Sequence, residues 1–218
     1  MTWKTMIITV ACVTLAALQL QAKEKANPRW DLKPGSRIEI TRTARVKVLR
    51  NNRPEKAYEE RNIIDLTCGS VGETGSSVSG FFRVYVRNSG ESVFLQEKQY
   101  PVDFIIGSQG EYRVNPDDYM PNLRNIPTFP TEGISEGDSW TGDGELILDT
   151  FSRPFKLIFP VEYTLLSVQE RNGTRVAIIS YNYNIEKLLT GSVFPPDFPV
   201  KISGTNVGNI FWDLGSGD

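Results

Sequence analysis

Acidic side chains are the residues of this chain best suited to chemistry, and they cluster in three places. These are Glu59-Glu60, Asp117-Asp118, and Asp138 with Asp143 and Glu145. A glycosidase needs two carboxylates at a defined separation across a cleft, and a calcium site needs six or more oxygens from a tight loop. The three acidic clusters show neither of these arrangements. Asp117 and Asp118 follow Asn115-Pro116, and Asp138 follows Gly137, so turn chemistry is favoured over calcium binding or catalysis.

Histidine is absent from the whole chain. Its absence excludes a His-based catalytic triad, a His-ligated zinc site and an imidazole general base. We therefore predict that the protein is not an enzyme, with no catalytic residues, no metal-binding residues and no cofactor. Cys68 is the only cysteine beyond the N-terminal apolar run, and we interpret it as a small buried hydrophobe rather than a reactive thiol.

Basic residues gather around the first predicted strand. They are Arg37, Arg42, Arg45, Lys47, Arg50 and Arg53. A basic ladder of this kind is able to hold lipid headgroups, phosphate groups or an acidic envelope polymer. The same predicted hairpin also contains acidic residues at positions 39, 55, 59 and 60, which would pair with the basic ones across strands. A solvated, internally paired edge is the favoured interpretation.

The N-terminus predicts export. Lys4 precedes an apolar run from Met6 to Leu20, and Ala22 precedes a polar stretch, which is the pattern of a secretory signal peptide over residues 1–22. The run is shorter than the about 20 residues that span a bilayer, so no transmembrane helix is expected in the mature chain. Lipidation at Cys12 is the weaker alternative, because the apolar run continues beyond it. The expected location is the periplasm or the periplasmic face of the outer membrane.

Net charge excludes one class of partner. The chain carries 24 basic and 26 acidic residues, and loss of Lys4 with the signal peptide leaves a net charge of −3. Such a mild acidic balance argues against nucleic acid. The remaining partners are an unknown envelope protein, a lipid or an envelope polymer.

The elements that would position these residues are strands. Apolar residues alternate with polar ones from Ser36 to Arg50, and the same period of two recurs in many later segments. Asn172-Gly173 is a strong hairpin signal, and a parity change at Ser167-Val168 predicts a bulge. Gly69 to Gly80, rich in glycine and serine, is predicted to be a flexible loop. The fold expected is all-β, an antiparallel β-sandwich or half-open barrel.

A proline-rich strap divides this β-structure into two halves. Residues 23–34 form a flexible leader, 35–114 the N-terminal β half, 115–140 the strap, and 141–218 the C-terminal β half. Four prolines keep the strap extended, while its apolar residues predict that it packs across the β-core. Its aromatic residues Tyr119, Phe129 and Trp140, with Trp212 near the C-terminus, are either core residues or a rim that binds sugars or peptides. Packing in the core is favoured.

The strap also carries a resemblance. The segment from Tyr119 to Pro130, with Arg124 between two hydrophobic positions, is followed by Gly137-Asp138-Ser139-Trp140. This pattern resembles the N-terminal extracytoplasmic β-region of OmpA-family proteins of spirochaetes. In that family a C-terminal OmpA-like domain associated with peptidoglycan binding follows, and the sequence to Asp218 lacks it. The resemblance therefore implies an envelope location without implying a peptidoglycan anchor or any catalytic residue.

These observations together predict a non-catalytic cell-envelope protein with a structural or interaction role. The alternative is a carrier, a half-open β-fold that shelters a lipid or other apolar ligand between sheet and strap.

Overall fold

A computed structural model describes residues 25–50, 53–148, 155–188 and 201–217. The predicted signal peptide, with Cys12, lies outside the described residues. Within them the fold is all-β and antiparallel, as predicted. No helix in this part of the chain is long and apolar enough to cross a membrane.

The N-terminal half forms one five-stranded sheet in which each strand pairs with the next along the chain. Its strands are β1 (Arg37–Arg50), β2 (Arg53–Gly72), β3 (Gly75–Asn88), β4 (Leu95–Ile106) and β5 (Tyr112–Val114). We call it the first sheet. The alternation predicted for Ser36 to Arg50 places Ile38 and Ile40 on the inner face, opposite Leu66 and Ile64 of β2.

The second sheet is built in the same way from five further strands. They are β6 (Leu123–Arg124), β7 (Ser139–Leu148), β8 (Phe155–Arg171), β9 (Thr174–Leu188) and β10 (Lys201–Asp213). Asn172 and Gly173 both have positive φ, 52° and 82°, so the predicted hairpin turn between β8 and β9 is confirmed. The predicted bulge is confirmed as well, since the β8–β9 register shifts between Leu165 and Ser167.

Both sheets contribute to a single hydrophobic core, as expected for a β-sandwich or half-open barrel, and we refer to the pair of sheets as the sandwich. Inward residues of β8 alternate with outward ones along the strand, as period two requires. The best-buried side chains come from both sheets: Val78, Phe82 and Ile106 from the first, and Val161, Tyr163, Leu165 and Ile179 from the second.

The glycine- and serine-rich segment is a correction to the sequence prediction. Instead of a flexible loop over residues 69–80, β2 continues to Gly72 and β3 begins at Gly75. Val78 is fully buried, so one large side chain suffices to anchor the segment in the core. The glycine at position 80 permits close strand approach, because a Cβ there would overlap the backbone of Asp65.

The residues before β1 also differ from the flexible leader that was predicted for 23–34. Ala26 exchanges two backbone hydrogen bonds with Ile134 of the strap, at 2.7 and 2.8 Å. The Trp30 amide donates to the Ser108 carbonyl at 2.9 Å, and the Trp30 side chain is buried. Alternate residues 26, 28, 30 and 32 are buried while those between are exposed, so the segment packs as an extended lid over one end of the sandwich. The polar residues that suggested flexibility face outward.

Candidate functional site

The strap residues singled out from sequence separate into core and surface. Phe129 and Trp212 are buried, with ring centroids 4.7 Å apart, and Trp30 lies 4.9 Å from Trp212 on another side. Trp140 is partly buried, whereas Tyr119 remains 47% exposed. We call the group Trp30, Phe129 and Trp212 the closed end, because the leader, strap and last strand meet there.

Arg124 fixes the strap to the second sheet. Its side chain is buried and donates from Nε to the Pro121 carbonyl at 2.8 Å and from Nη2 to the Asp118 carbonyl at 2.7 Å. A third contact, at 3.2 Å, joins its Nη1 to Glu145 of β7. Burial lowers the pKa of Arg124, and the neighbouring Glu145 carboxylate opposes that shift. Three contacts of this guanidinium thus hold the strap in place.

Trp140 joins strap and sheet in a similar way. Its ring stacks on Tyr163 of β8 with centroids 5.3 Å apart and planes 12° apart, while its Nε1 donates to the Thr128 carbonyl at 2.8 Å. Thr128 packs directly over Gly142, where a Cβ would overlap the threonine hydroxyl. Three of the five predicted residues, Phe129, Trp140 and Trp212, therefore pack as interior aromatics.

One residue of the basic ladder on the first sheet, Arg45, pairs with an acidic residue of the neighbouring strand. Glu59 of β2 accepts from Arg45 of β1 at 3.3 Å and also contacts Arg87 of β3. Hydrogen bonding from Arg87 lowers the pKa of Glu59, and Arg45 adds to that effect. These residues line a shallow hollow of about 530 Å³ on the outer face. Since each arginine there meets the same carboxylate, the cross-strand pairing expected from sequence is confirmed for Glu59.

A second polar group lies on the inner faces of the sheets. It consists of Arg42 of β1, Glu60 and Asn62 of β2, Tyr181 and Tyr183 of β9, and Asn206 of β10. We call it the polar mouth. Asn206 lies opposite Tyr183 in the β9–β10 register, six positions along β10 from Trp212, which places it about 20 Å from the closed end.

Hydrogen bonds connect the polar mouth within each sheet. In the first sheet, Asn62 donates from Nδ2 to Glu60 at 2.9 Å. In the second, the Tyr181 hydroxyl donates to Asn206 Oδ1 at 3.4 Å, and Asn206 Nδ2 donates to the Tyr183 hydroxyl at 3.2 Å. Burial raises the pKa of Tyr181, the neighbouring Tyr183 adds to the rise, and the positive charge of Arg42 opposes it. The charge of Arg42 in the first sheet thus affects the phenol of Tyr181 in the second.

Two atoms of the polar mouth have no hydrogen-bond partner although they are buried. They are the Nε donor of Arg42 and the Oδ1 acceptor of Asn62. Asn62 as a whole is only 3% exposed. Most buried polar side-chain atoms in folded proteins have at least one partner, so each exception calls for an explanation.

No protein family model, curated protein or solved structure matches this chain. The resemblance to the OmpA family stays a prediction, and any conclusion on function rests on the residues themselves.

Sequence reasoning missed the polar mouth, although a signal for it was present. Arg42 occupies an even position in a strand whose other even positions from 38 to 48 are apolar. Glu60 and Asn62 interrupt the apolar parity of β2 in the same way. Polar residues at inward positions are the exception that marks a candidate site, and here they lie on the inner faces of both sheets.

The chemistry available at the polar mouth is hydrogen bonding and ring contact. Among the described residues no group of three or more His, Cys, Asp or Glu side chains is placed to hold a metal ion. One guanidinium, one carboxylate, two amides and two phenols instead offer both donors and acceptors.

Proposed function

We propose that this protein is a non-catalytic cell-envelope protein, located in the periplasm or at the periplasmic face of the outer membrane, with a structural or interaction role. The observation that supports it best is the pattern of Lys4, the apolar run from Met6 to Leu20 and Ala22, placed just before the packed residues that start at Ala26. A leader that ends four residues before the folded part fits removal without disturbance of the fold. The resemblance of the strap to the spirochaete OmpA family points to the same compartment.

An interaction role has more support than the carrier alternative. A carrier needs an apolar space between sheet and strap, and the strap side chains Met120, Phe129 and Ile134 are buried in the core there. The inward polar side chains, by contrast, suit recognition of a polar partner.

Processing of the N-terminus tests the proposal. Protein recovered from the envelope fraction is expected to begin at Lys23, as read by N-terminal sequencing or intact mass. The matched control replaces Leu15 and Leu18 by arginine, which breaks the apolar run and should leave an unprocessed chain in the cytoplasm. Wild-type protein with an intact Met1 in the cytoplasm, or with a diacylated Cys12, would contradict the proposed location.

A further inference from the structure

The polar mouth has the composition of a site for an uncharged, hydroxyl-rich molecule. Arg42 supplies one positive charge and Glu60 one negative charge, so the described side chains have no net charge to attract an ion. A sugar hydroxyl both donates and accepts, and therefore matches the orphaned Arg42 donor and the orphaned Asn62 acceptor at once. An anion would satisfy the arginine alone and would face the Glu60 carboxylate.

The inner face of β10 has unfilled space next to Asn206. On β10 the inward positions flanking Asn206 are Gly204 and Gly208. A Cβ on Gly208 would lie 2.8 Å from the Tyr181 ring, so this glycine lets the ring lie against the strand. A Cβ on Gly204 would meet nothing within 4 Å, although its register partner Ile185 is buried. The inner face is therefore open at Gly204, next to Asn206.

Four side chains of the polar mouth are partly exposed to solvent. Arg42, Glu60, Tyr181 and Asn206 are half-buried, while Asn62 and Tyr183 lie deeper. Tyr181 and Tyr183 have nearly parallel rings, 25° apart with centroids 6.4 Å from each other. Rings so placed give a sugar an apolar face to pack on, and the surrounding polar groups fix its orientation.

We propose that the polar mouth binds a neutral saccharide segment of an envelope glycan, with Arg42 and Asn62 hydrogen-bonding its hydroxyls and Tyr181 contacting its ring. The biological setting rests on the proposed envelope function, whereas the binding chemistry does not.

Solution NMR of the purified protein tests the proposal through the side-chain amide signals of Asn62 and Asn206. The probes are neutral trisaccharides of glucose and of N-acetylglucosamine, each titrated to about 10 mM, which is enough to detect millimolar binding. Inorganic phosphate is the charged comparator. We expect at least one trisaccharide to shift both amide signals in a saturable way and phosphate to shift neither.

Three variants separate binding from folding. Asn62→Leu and Arg42→Met remove the two orphaned atoms, and each should weaken the trisaccharide by about tenfold or more. Tyr181→Phe retains the ring and should weaken it by about fivefold. The control Asn184→Ala changes an exposed outward amide next to Tyr183 and should leave the affinity unchanged within about twofold. Urea unfolding of every variant confirms that it is folded.

Two results would overturn the proposal: no trisaccharide moves either amide signal, or phosphate alone does. Equal binding by Asn62→Leu and wild type would also place the sugar elsewhere. Failure here is distinct from failure of the envelope assignment, since an unprocessed cytoplasmic chain that binds the sugar would contradict only the latter.

Discussion

The two ends of the sandwich are built from the same kind of alternating strands. They differ in what surrounds the buried polar atoms that lack hydrogen-bond partners. At the closed end the indole Nε1 atoms of Trp30 and Trp212 are buried and lack partners, and the rings of both residues pack against other aromatic rings. At the polar mouth the orphaned atoms of Arg42 and Asn62 adjoin half-buried polar side chains and the open space at Gly204. Ring packing makes the first end a packing unit, whereas half-buried polar side chains make the second a candidate site.

From this difference we expect the buried aromatic residues of the strap to contribute to the stability of the fold. A buried ring contributes through lost water contact and close packing, and its removal leaves a cavity. A ring in a binding site contributes to a partner's affinity and little to folding. Mutations at the two ends should therefore separate in their effect on unfolding.

The largest effect is expected for Phe129→Ala at the closed end. Its ring is 4% exposed and packs on Trp212, so its loss should lower the free energy of unfolding by about 3–5 kcal/mol. Equilibrium urea unfolding measures the change. Tyr119→Ala is the control in the same strap, because that ring is 47% exposed, and it should change the value by no more than about 0.5 kcal/mol. Equal midpoints for the two variants would return the strap to the list of binding surfaces.

Arg124→Met should have the next largest effect. The change removes two hydrogen bonds to strap carbonyls and an ion pair with Glu145, all in a buried setting, and should cost about 2–3 kcal/mol. Lys156→Met is the matched control, since Lys156 contacts the same carboxylate at 3.0 Å from a side chain that is 54% exposed. That variant should lose less than about 0.5 kcal/mol. A similar loss for both variants would show that Arg124 stabilises the fold through its ion pair with Glu145 and not through its hydrogen bonds to the strap.

Two glycines allow the ends to be compared with one small substitution. Gly142→Ala drives a methyl into Thr128, whose amide and carbonyl contact Tyr163 and Trp140, and should cost about 1–3 kcal/mol. Gly208→Ala drives the same methyl into the half-buried Tyr181 ring, which is held by one long hydrogen bond at 3.4 Å, and should cost less than about 1 kcal/mol.

Both glycines lie in strands and neither has positive φ. The difference between the unfolding midpoints of the two variants therefore reports how tightly each site is packed. A greater loss at Gly208 would contradict the view that the polar mouth is the less tightly packed end.

Much of the fold is readable from local sequence because its signals are local. Period-two alternation predicts strands and their inner faces, and Asn172-Gly173 predicts a turn whose backbone requires positive φ. The strap was predicted from proline spacing and its excess of apolar residues. Each of these depends on neighbours along the chain.

The remainder depends on contacts between distant residues. Nothing near Ala26 in the sequence reveals its pairing with Ile134, and a run of glycine and serine gives no hint that Val78 anchors it. Taken one at a time, Arg42, Asn62 and Asn206 are ordinary polar residues in the sequence. Only the packing of the two sheets places all three on inner faces of the fold. Tertiary placement, rather than propensity, decides such features.

Packing of residues 26–32 across the closed end bears on the order of events during synthesis. Asp31 touches Gly217, 186 positions later in the chain, so closely that a Cβ on that glycine would lie 2.7 Å from the Asp31 backbone nitrogen. At a synthesis rate of 5–20 residues per second, the partner appears roughly 10 to 40 s after Asp31 itself. Until then Trp30 has no Trp212 to pack against. Residues 26–32 are thus made early, but their packing is completed only when Trp212 is present.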